Sequence, residues 1–153
     1  MNITPHRCQK TLLGVIFFMK QIENICVFLT GGTVYGLLEM LWRGHTHWSM
    51  VLAGGLALLL IHLLNERLSA RSLWVRCLIG ATLITSIEFV AGIIFNIWLG
   101  MNVWDYSAMK FNLLGQICPM FFAVWFLISS PAFYLSRVAR KFFDLISEKE
   151  RGA

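Results

Sequence analysis

Four stretches of the chain are apolar almost without interruption, at about 24–41, 48–64, 73–99 and 113–135, and short polar segments separate them. Each approaches or exceeds the ~20 residues a helix needs to cross a hydrocarbon layer ~30 Å thick. None shows the period-two alternation of a barrel strand, and an open strand would leave backbone N–H and C=O groups unsatisfied in lipid. The pattern predicts an all-α integral membrane protein with four transmembrane helices. A shorter apolar run, 12–19, cannot span; Lys20, Gln21, Glu23 and Asn24 follow it. It predicts a short N-terminal interfacial helix feeding the first span. No small-x-small cleavage site follows, so this run is not expected to be removed as a signal peptide. The expected organisation is a cytoplasmic or interfacial segment 1–23, a four-helix transmembrane domain 24–135 and a basic cytoplasmic tail 136–153.

Composition strengthens this picture. The chain is 58% hydrophobic and 14% charged, against about 25% charged in a soluble domain. The placement of the thirteen Lys and Arg residues then sets the orientation. Arg7, Lys10 and Lys20 precede the first span, Arg67, Arg71 and Arg76 lie between the second and third, and Arg137, Arg140, Lys141, Lys149 and Arg151 follow the fourth. Only Arg43 and Lys110 occupy the other two loops. Basic residues stay on the cytoplasmic side, so a multi-pass protein of the cell (plasma) membrane with N- and C-termini in the cytoplasm is expected. The net charge of +5 is thus a topology signal and a contact for anionic lipid, not a nucleic-acid footprint. Cys8, Cys26, Cys77 and Cys118 form no C-x-x-C pair and match no zinc spacing, so free thiols are expected. No phosphate loop is present. No nucleophile-plus-base motif stands out either, so neither enzymatic chemistry nor a cofactor is expected.

The two outer loops echo each other. Trp42, Gly44 and Trp48 share the spacing W-x-G-x-x-x-W with Trp98, Gly100 and Trp104, and Gly36 stands to the first set as Gly92 does to the second. Two helical hairpins in parallel orientation would explain this. Interfacial Trp and contact Gly would explain it too.

The polar residues inside the spans are the candidate site. Counting from Trp98 at the boundary, Glu88 lies ~15 Å deep at ~1.5 Å per residue. Glu88, Gly92 and Asn96 share one face of the third helix at i, i+4, i+8. A charged carboxylate at that depth costs at least ~2.5–3.5 kcal/mol. Glu88 is therefore either a substrate, ion or proton site, or a protonated acid bonded to a neighbouring helix. Tyr35, Glu39 and Arg43 repeat the i, i+4 spacing, with the acid before the base as a helical ion pair prefers. They read as a charged gate or as a pair settling Arg43 at the interface. Gly32 and Gly36 suit close helix packing, as do Gly54 and Gly55. The outer loops add His47, Trp104, Asp105 and Tyr106, and Asn112 and Gln116 stand four apart at the expected start of the last helix. His45, His47, Glu39 and Asp105 are residue types that bind transition metals, but the H-x-H spacing on a loop fits interloop hydrogen bonding as well, and no metal is assigned. His62, in the inner half of the second helix, reads as a packed, hydrogen-bonded histidine.

These residues resemble a family of bacterial membrane proteins, found mainly in Firmicutes, labelled putative ABC transporter permease type IV or CmpB-like. The matching positions run from Gly31, Gly32 and Tyr35 through Glu39, Trp42, Gly44, His47 and Trp48 to Glu88, Gly92, Asn96, Trp104, Asp105, Tyr106, Ser107, Asn112, Gln116 and Trp125. The R-G-x-T-H-W and W-D-Y-S motifs are the most specific. Lys110 stands where the family often has Pro. The resemblance implies a permease-like or transport-associated protein with a separate ATPase subunit docking on the inner face. Four spans are few for a translocation path, so a homodimer or a larger partner would complete it. In that reading Glu88 is the midplane polar group, Glu39 and Arg43 the outer gate, and Trp104, Asp105 and Tyr106 the cap of the mouth. The alternatives are a structural or sensory subunit of a membrane complex, or a membrane-embedded enzyme using Glu39, His47 or Asp105 as acid or base.

Overall fold

In a computed structural model, residues 5–152 of the protein are described, those at 5–13 and 150–152 by their backbone alone. Cys8, Arg7 and Lys10 thus lie outside the described side chains, and the extreme ends of the N-terminal segment and tail lie outside the described residues. The chain folds into helices α1 (Pro5–Arg43), α2 (Trp48–Asn65), α3 (Leu73–Gly92) and α4 (Pro119–Gly152), with a π-helical turn, Ile93–Trp98, continuing α3. Each contains a segment long and apolar enough to cross a membrane, Gly14–Arg43, Trp48–Asn65, Leu73–Trp98 and Pro119–Lys149. The protein is an all-helical integral membrane protein with four membrane-spanning helices.

Helix α1 is one element of 39 residues, ~58 Å at ~1.5 Å per residue. The separate helix expected over 12–19 is absent as an element. The polar run at 20–24 does not break the helix because it contains no Gly or Pro and its charges are satisfied laterally. Lys20 reaches Glu23 at 3.1 Å, and Glu23 is buried against α2 and α4. At the other end of the chain, α4 begins at Pro119 instead of near 113. Its Pro occupies the first turn, where a missing N–H removes no helical bond. Asn112 and Gln116 therefore lie in the preceding loop and not on a helix. Pro131 sits inside α4, and the helix continues well past the expected end of the span at 135.

α1 packs most extensively on α2, and α3 on α4, so the helices pair as two hairpins. Glycine makes the first pairing close. A Cβ on Gly31 would stand 2.6 Å from both the Gly54 carbonyl oxygen and Leu58 Cβ, and one on Gly55 would stand 2.8 Å from the Phe28 carbonyl oxygen. Gly80 allows the same closeness against Ser129 of α4. Ala57, Ile61, Ala81, Ile84, Trp125 and Phe133 form the core where α2, α3 and α4 meet. The outward faces keep Leu29, Leu41, Leu63, Leu78 and Leu127 exposed, as side chains that face lipid do.

The echoed loops agree at their glycines and diverge after them. Gly44 (φ +73°) and Gly100 (φ +62°) both turn left-handed just beyond a helix end, a conformation that glycine adopts without steric cost. After Gly44 the chain enters α2 within a few residues, with His47 as N-cap accepting from the Ser49 N–H. After Gly100 it makes a long loop instead. That loop turns back through Asn102, Phe111, Leu114 and Gly115, all at positive φ, and an antiparallel bridge joins Leu113 to Ile117. Trp48 is exposed, whereas Trp104 is buried against Met50 and Ala91.

Candidate functional site

The loop-bearing end of the bundle holds a cavity of about 340 Å³ between α1 and α4. Tyr35, Glu39 and Arg43 line it from α1, Phe121, Trp125 and Ile128 from α4, and Trp104, Asp105 and Tyr106 from the long loop. The i, i+4, i+8 spacing on α1 puts its three polar side chains in one column along the cavity wall. Phe121, Trp125 and Ile128, at i, i+4 and i+7, line the cavity from α4.

Glu39 and Arg43 form an ion pair. Both ends of it are engaged elsewhere. Thr46 Oγ1 donates to Glu39 Oε2 at 2.6 Å, and Arg43 Nη1 donates to the Val103 carbonyl at 2.9 Å. The pair thus joins α1 to both loops at this end. Glu88 is buried, 2% exposed. Trp125 Nε1 donates to its Oε2 at 2.6 Å and Tyr35 Oη to its Oε1 at 3.2 Å. Glu88 does not line the cavity; the two aromatic side chains that do are tied together behind its floor by this carboxyl group.

Asn96, Asn112 and Gln116 are placed differently. Asn96 donates to the Trp104 carbonyl at 2.9 Å and to Gln116 Oε1 at 2.8 Å, and accepts from the Val103 N–H at 2.7 Å. Trp104 Nε1 donates to the Gln116 carbonyl at 2.9 Å. Asn112 donates to the Ser107 and Met109 carbonyls and accepts from the Gly115 N–H. Asn96 and Gln116 tie the long loop to the end of α3, Asn112 closes the loop on itself, and the cavity wall is left to other residues. Gly115 lets the loop close: its φ is +68°, and a Cβ there would stand 2.6 Å from Ser107 Oγ. The closed loop brings the Gly115 carbonyl to the Tyr106 N–H at 2.7 Å, and Tyr106 stacks on Phe121 at 4.5 Å between centroids. Burial pushes the Tyr106 phenol well above its ordinary range. Asp105, in contrast, stands in solvent. The Ser107 hydroxyl and N–H both donate to it, at 2.5 and 2.8 Å, and hold its carboxyl below the usual carboxylate range.

His47 lies outside the cavity, paired with Ser49 at 2.7 Å and tilted over Trp48. His45 contacts the Arg43 carbonyl. Among the described residues, no group of three or more His, Cys, Asp and Glu side chains comes together to hold a metal ion. Cys26, Cys77 and Cys118 are free thiols.

A second polar cluster lies at the end that carries the termini, and of its members only His62 was expected from the sequence as a packed, hydrogen-bonded side chain. His62 of α2 is buried. It faces Glu23 Oε1 of α1 at 3.0 Å, Ser136 Oγ of α4 at 3.0 Å and Arg140 of α4 at 3.1 Å. Arg140 also pairs with Glu66. Beside it Asn65 bonds Ser136, and Arg76 of α3 donates to Asn65 Oδ1 at 2.6 Å with its guanidinium over the Phe133 ring. All four helices contribute. The signal available in the sequence was the charge at Glu23, and it resembled a helix boundary instead.

A four-helix membrane bundle with a polar-mouthed cavity and interlocked loops is the class that fold and site define. The chain belongs to the family described as "Putative ABC-transporter type IV", whose sequence model matches residues 48–151. That match covers α2, α3 and nearly all of α4 and leaves α1 outside it. The protein is accordingly a transport-associated membrane protein. No curated protein and no solved structure matches the chain.

Proposed function

We propose that the chain is the membrane subunit of a transport system that receives its ligand in the cavity between α1 and α4 from the outer side of the cell membrane. The observation that carries this reading is the cavity itself. A polar mouth made of Glu39, Arg43, Asp105 and Tyr106 opens above a floor of Tyr35 and Trp125, and the buried Glu88 braces that floor. A buried acid in a spanning segment marks a functional path by default. The clustering of Lys and Arg at the end that carries the termini supports an outer position for the mouth. A separate ATPase subunit would supply the energy from the cytoplasmic side, and a homodimer or larger partner would complete the path. Glu39 and Arg43 act as the gate in this reading, because opening the cavity toward the loops requires parting a pair that holds both loops.

Purification of the tagged full chain from native membranes tests the proposal. The expected result is co-purification of a nucleotide-hydrolysing subunit whose turnover falls in Arg43→Ala and Glu88→Gln chains recovered at normal levels. A chain recovered without any such subunit would overturn it. One observation favours a second reading, a structural or sensory subunit of a membrane complex. Beyond the expected span, α4 continues with exposed Phe142 and Leu145, an apolar face suited to another protein.

A further inference from the structure

The cavity does not end at its floor. A second space of about 290 Å³ runs on between α1, α2 and α4, and Tyr35, Leu38, Trp125 and Ile128 line both spaces. The two adjoin along these side chains and together reach from the mouth into the spanning region, as two halves of a groove. Below Tyr35 the groove is walled by apolar groups such as Val34, Leu58, Ile61, Ala132 and Leu135. It is therefore polar at one end only, a shape that fits neither an ion nor a small hydrophilic solute along its whole length. It fits a molecule with a polar head and a hydrocarbon tail.

The charge at the mouth selects the head. Glu39 and Arg43 neutralise each other, and their partners Thr46 and Val103 take up further bonding capacity. Asp105 has no ion pair among the described residues and adds a negative charge at the rim. Lys110 belongs to the same loop but does not line the cavity. The lining that Asp105 shares is largely aromatic, with Trp42, Tyr106, Phe121 and Trp125. A carboxylate beside aromatic faces attracts an ammonium group.

We propose that this groove binds a lipid with an ammonium-bearing headgroup, its head at Asp105 and the aromatic rim and one acyl chain in the apolar stem beneath Tyr35. The assignment rests on the reading of the cavity as the ligand site and names the class of ligand. The head enters from the outer surface and the tail from the bilayer, through the gap between α1 and α4.

Native mass spectrometry of the purified full chain, titrated with phosphatidylethanolamine and separately with phosphatidylglycerol of the same acyl chains, tests it. The expected result is about tenfold preferential retention of phosphatidylethanolamine. Asp105→Asn should remove that preference while leaving unfolding unchanged, because its side chain is solvent-exposed. Ala132→Trp, which fills the stem, should lower retention of phosphatidylethanolamine several-fold. Ala132→Leu, a milder filling of the stem, serves in case the Trp variant fails to fold, and should also lower retention; unchanged retention in a folded stem-filled variant would count against the proposal. Equal retention of the two lipids by the natural chain, or an unchanged preference in Asp105→Asn, would overturn the proposal. The measurement involves no ATPase, so the lipid assignment can fail while the transport reading stands, and the reverse.

Discussion

The bracing of Trp125 and Tyr35 by Glu88 makes a quantitative prediction about stability. Replacing Glu88 by Leu keeps much of the side-chain volume but removes both acceptors. The Trp125 indole N–H is donor-only and buried, so it is left unpaired at a cost of ~1–3 kcal/mol. Hydrogen bonds between membrane helices measure ~0.6–2 kcal/mol, which places the expected loss in the lower half of that range. Tyr35 adds little, because its 3.2 Å bond is the weaker one and its hydroxyl rotates. Glu88→Gln should lose less than ~1 kcal/mol, since its amide oxygen still accepts from Trp125 while its amide nitrogen donates to the Tyr35 oxygen. Trp125→Phe removes the donor and should cost about as much as Glu88→Leu. The double variant Glu88→Leu with Trp125→Phe removes both partners, so the losses should fall short of additive by ~1 kcal/mol. Equilibrium unfolding in bicelles, read by the forced separation of α1 and α4, measures all four chains, with ~1.4 kcal/mol appearing as a tenfold change in the constant. Strict additivity, or Glu88→Gln as damaging as Glu88→Leu, would refute the hydrogen-bonded brace.

Other expectations concern the helix contacts and the loop lock. Gly54→Leu should prevent the α1–α2 pairing, because even a Cβ there collides with Tyr35, whereas Gly44→Ala, with open space around it, should cost only the ~1–2 kcal/mol of a left-handed residue; yields of folded protein by size exclusion separate the two. Asn96→Ala removes three bonds that hold the long loop, and hydrogen exchange across residues 99–118 should rise at least tenfold while the helices stay protected. Glu23→Leu leaves Arg140 and His62 without their buried acid and should cost ~3 kcal/mol, the lower end for a broken buried pair because Arg140 is partly exposed; the same unfolding assay checks it. Impermeant thiol reagents should label Asn102→Cys from outside intact cells and leave Ser147→Cys unlabelled.

The resemblance to a permease family and the match over 48–151 agree on membership while covering different stretches. The motifs that carry the resemblance begin at Gly31, in a helix the family match omits. That difference falls on the helix that supplies Tyr35, Glu39 and Arg43 to the cavity.

By itself the sequence determined the number of spans and their helical nature, because every backbone group in hydrocarbon must be satisfied within its own segment and apolar runs of sufficient length show this directly. It also placed Tyr35, Glu39 and Arg43 on one face, since helical spacing is a local property. Tertiary structure decided which polar residues meet. Glu88 and Asn96 share a helix face, yet Glu88 bonds Tyr35 and Trp125 on two other helices while Asn96 bonds the loop. Asn112 and Gln116, expected on a helix, sit in a loop whose left-handed turns and closure by Gly115 depend on contacts distant in sequence. Glu23 looked like a boundary because its partners, His62 and Arg140, lie on helices that only the packing of the bundle brings to it. Local periodicity is written in neighbouring residues, whereas the pairing of buried polar groups depends on how helices cross, and here close crossings at Gly31, Gly54, Gly55 and Gly80 fix that arrangement.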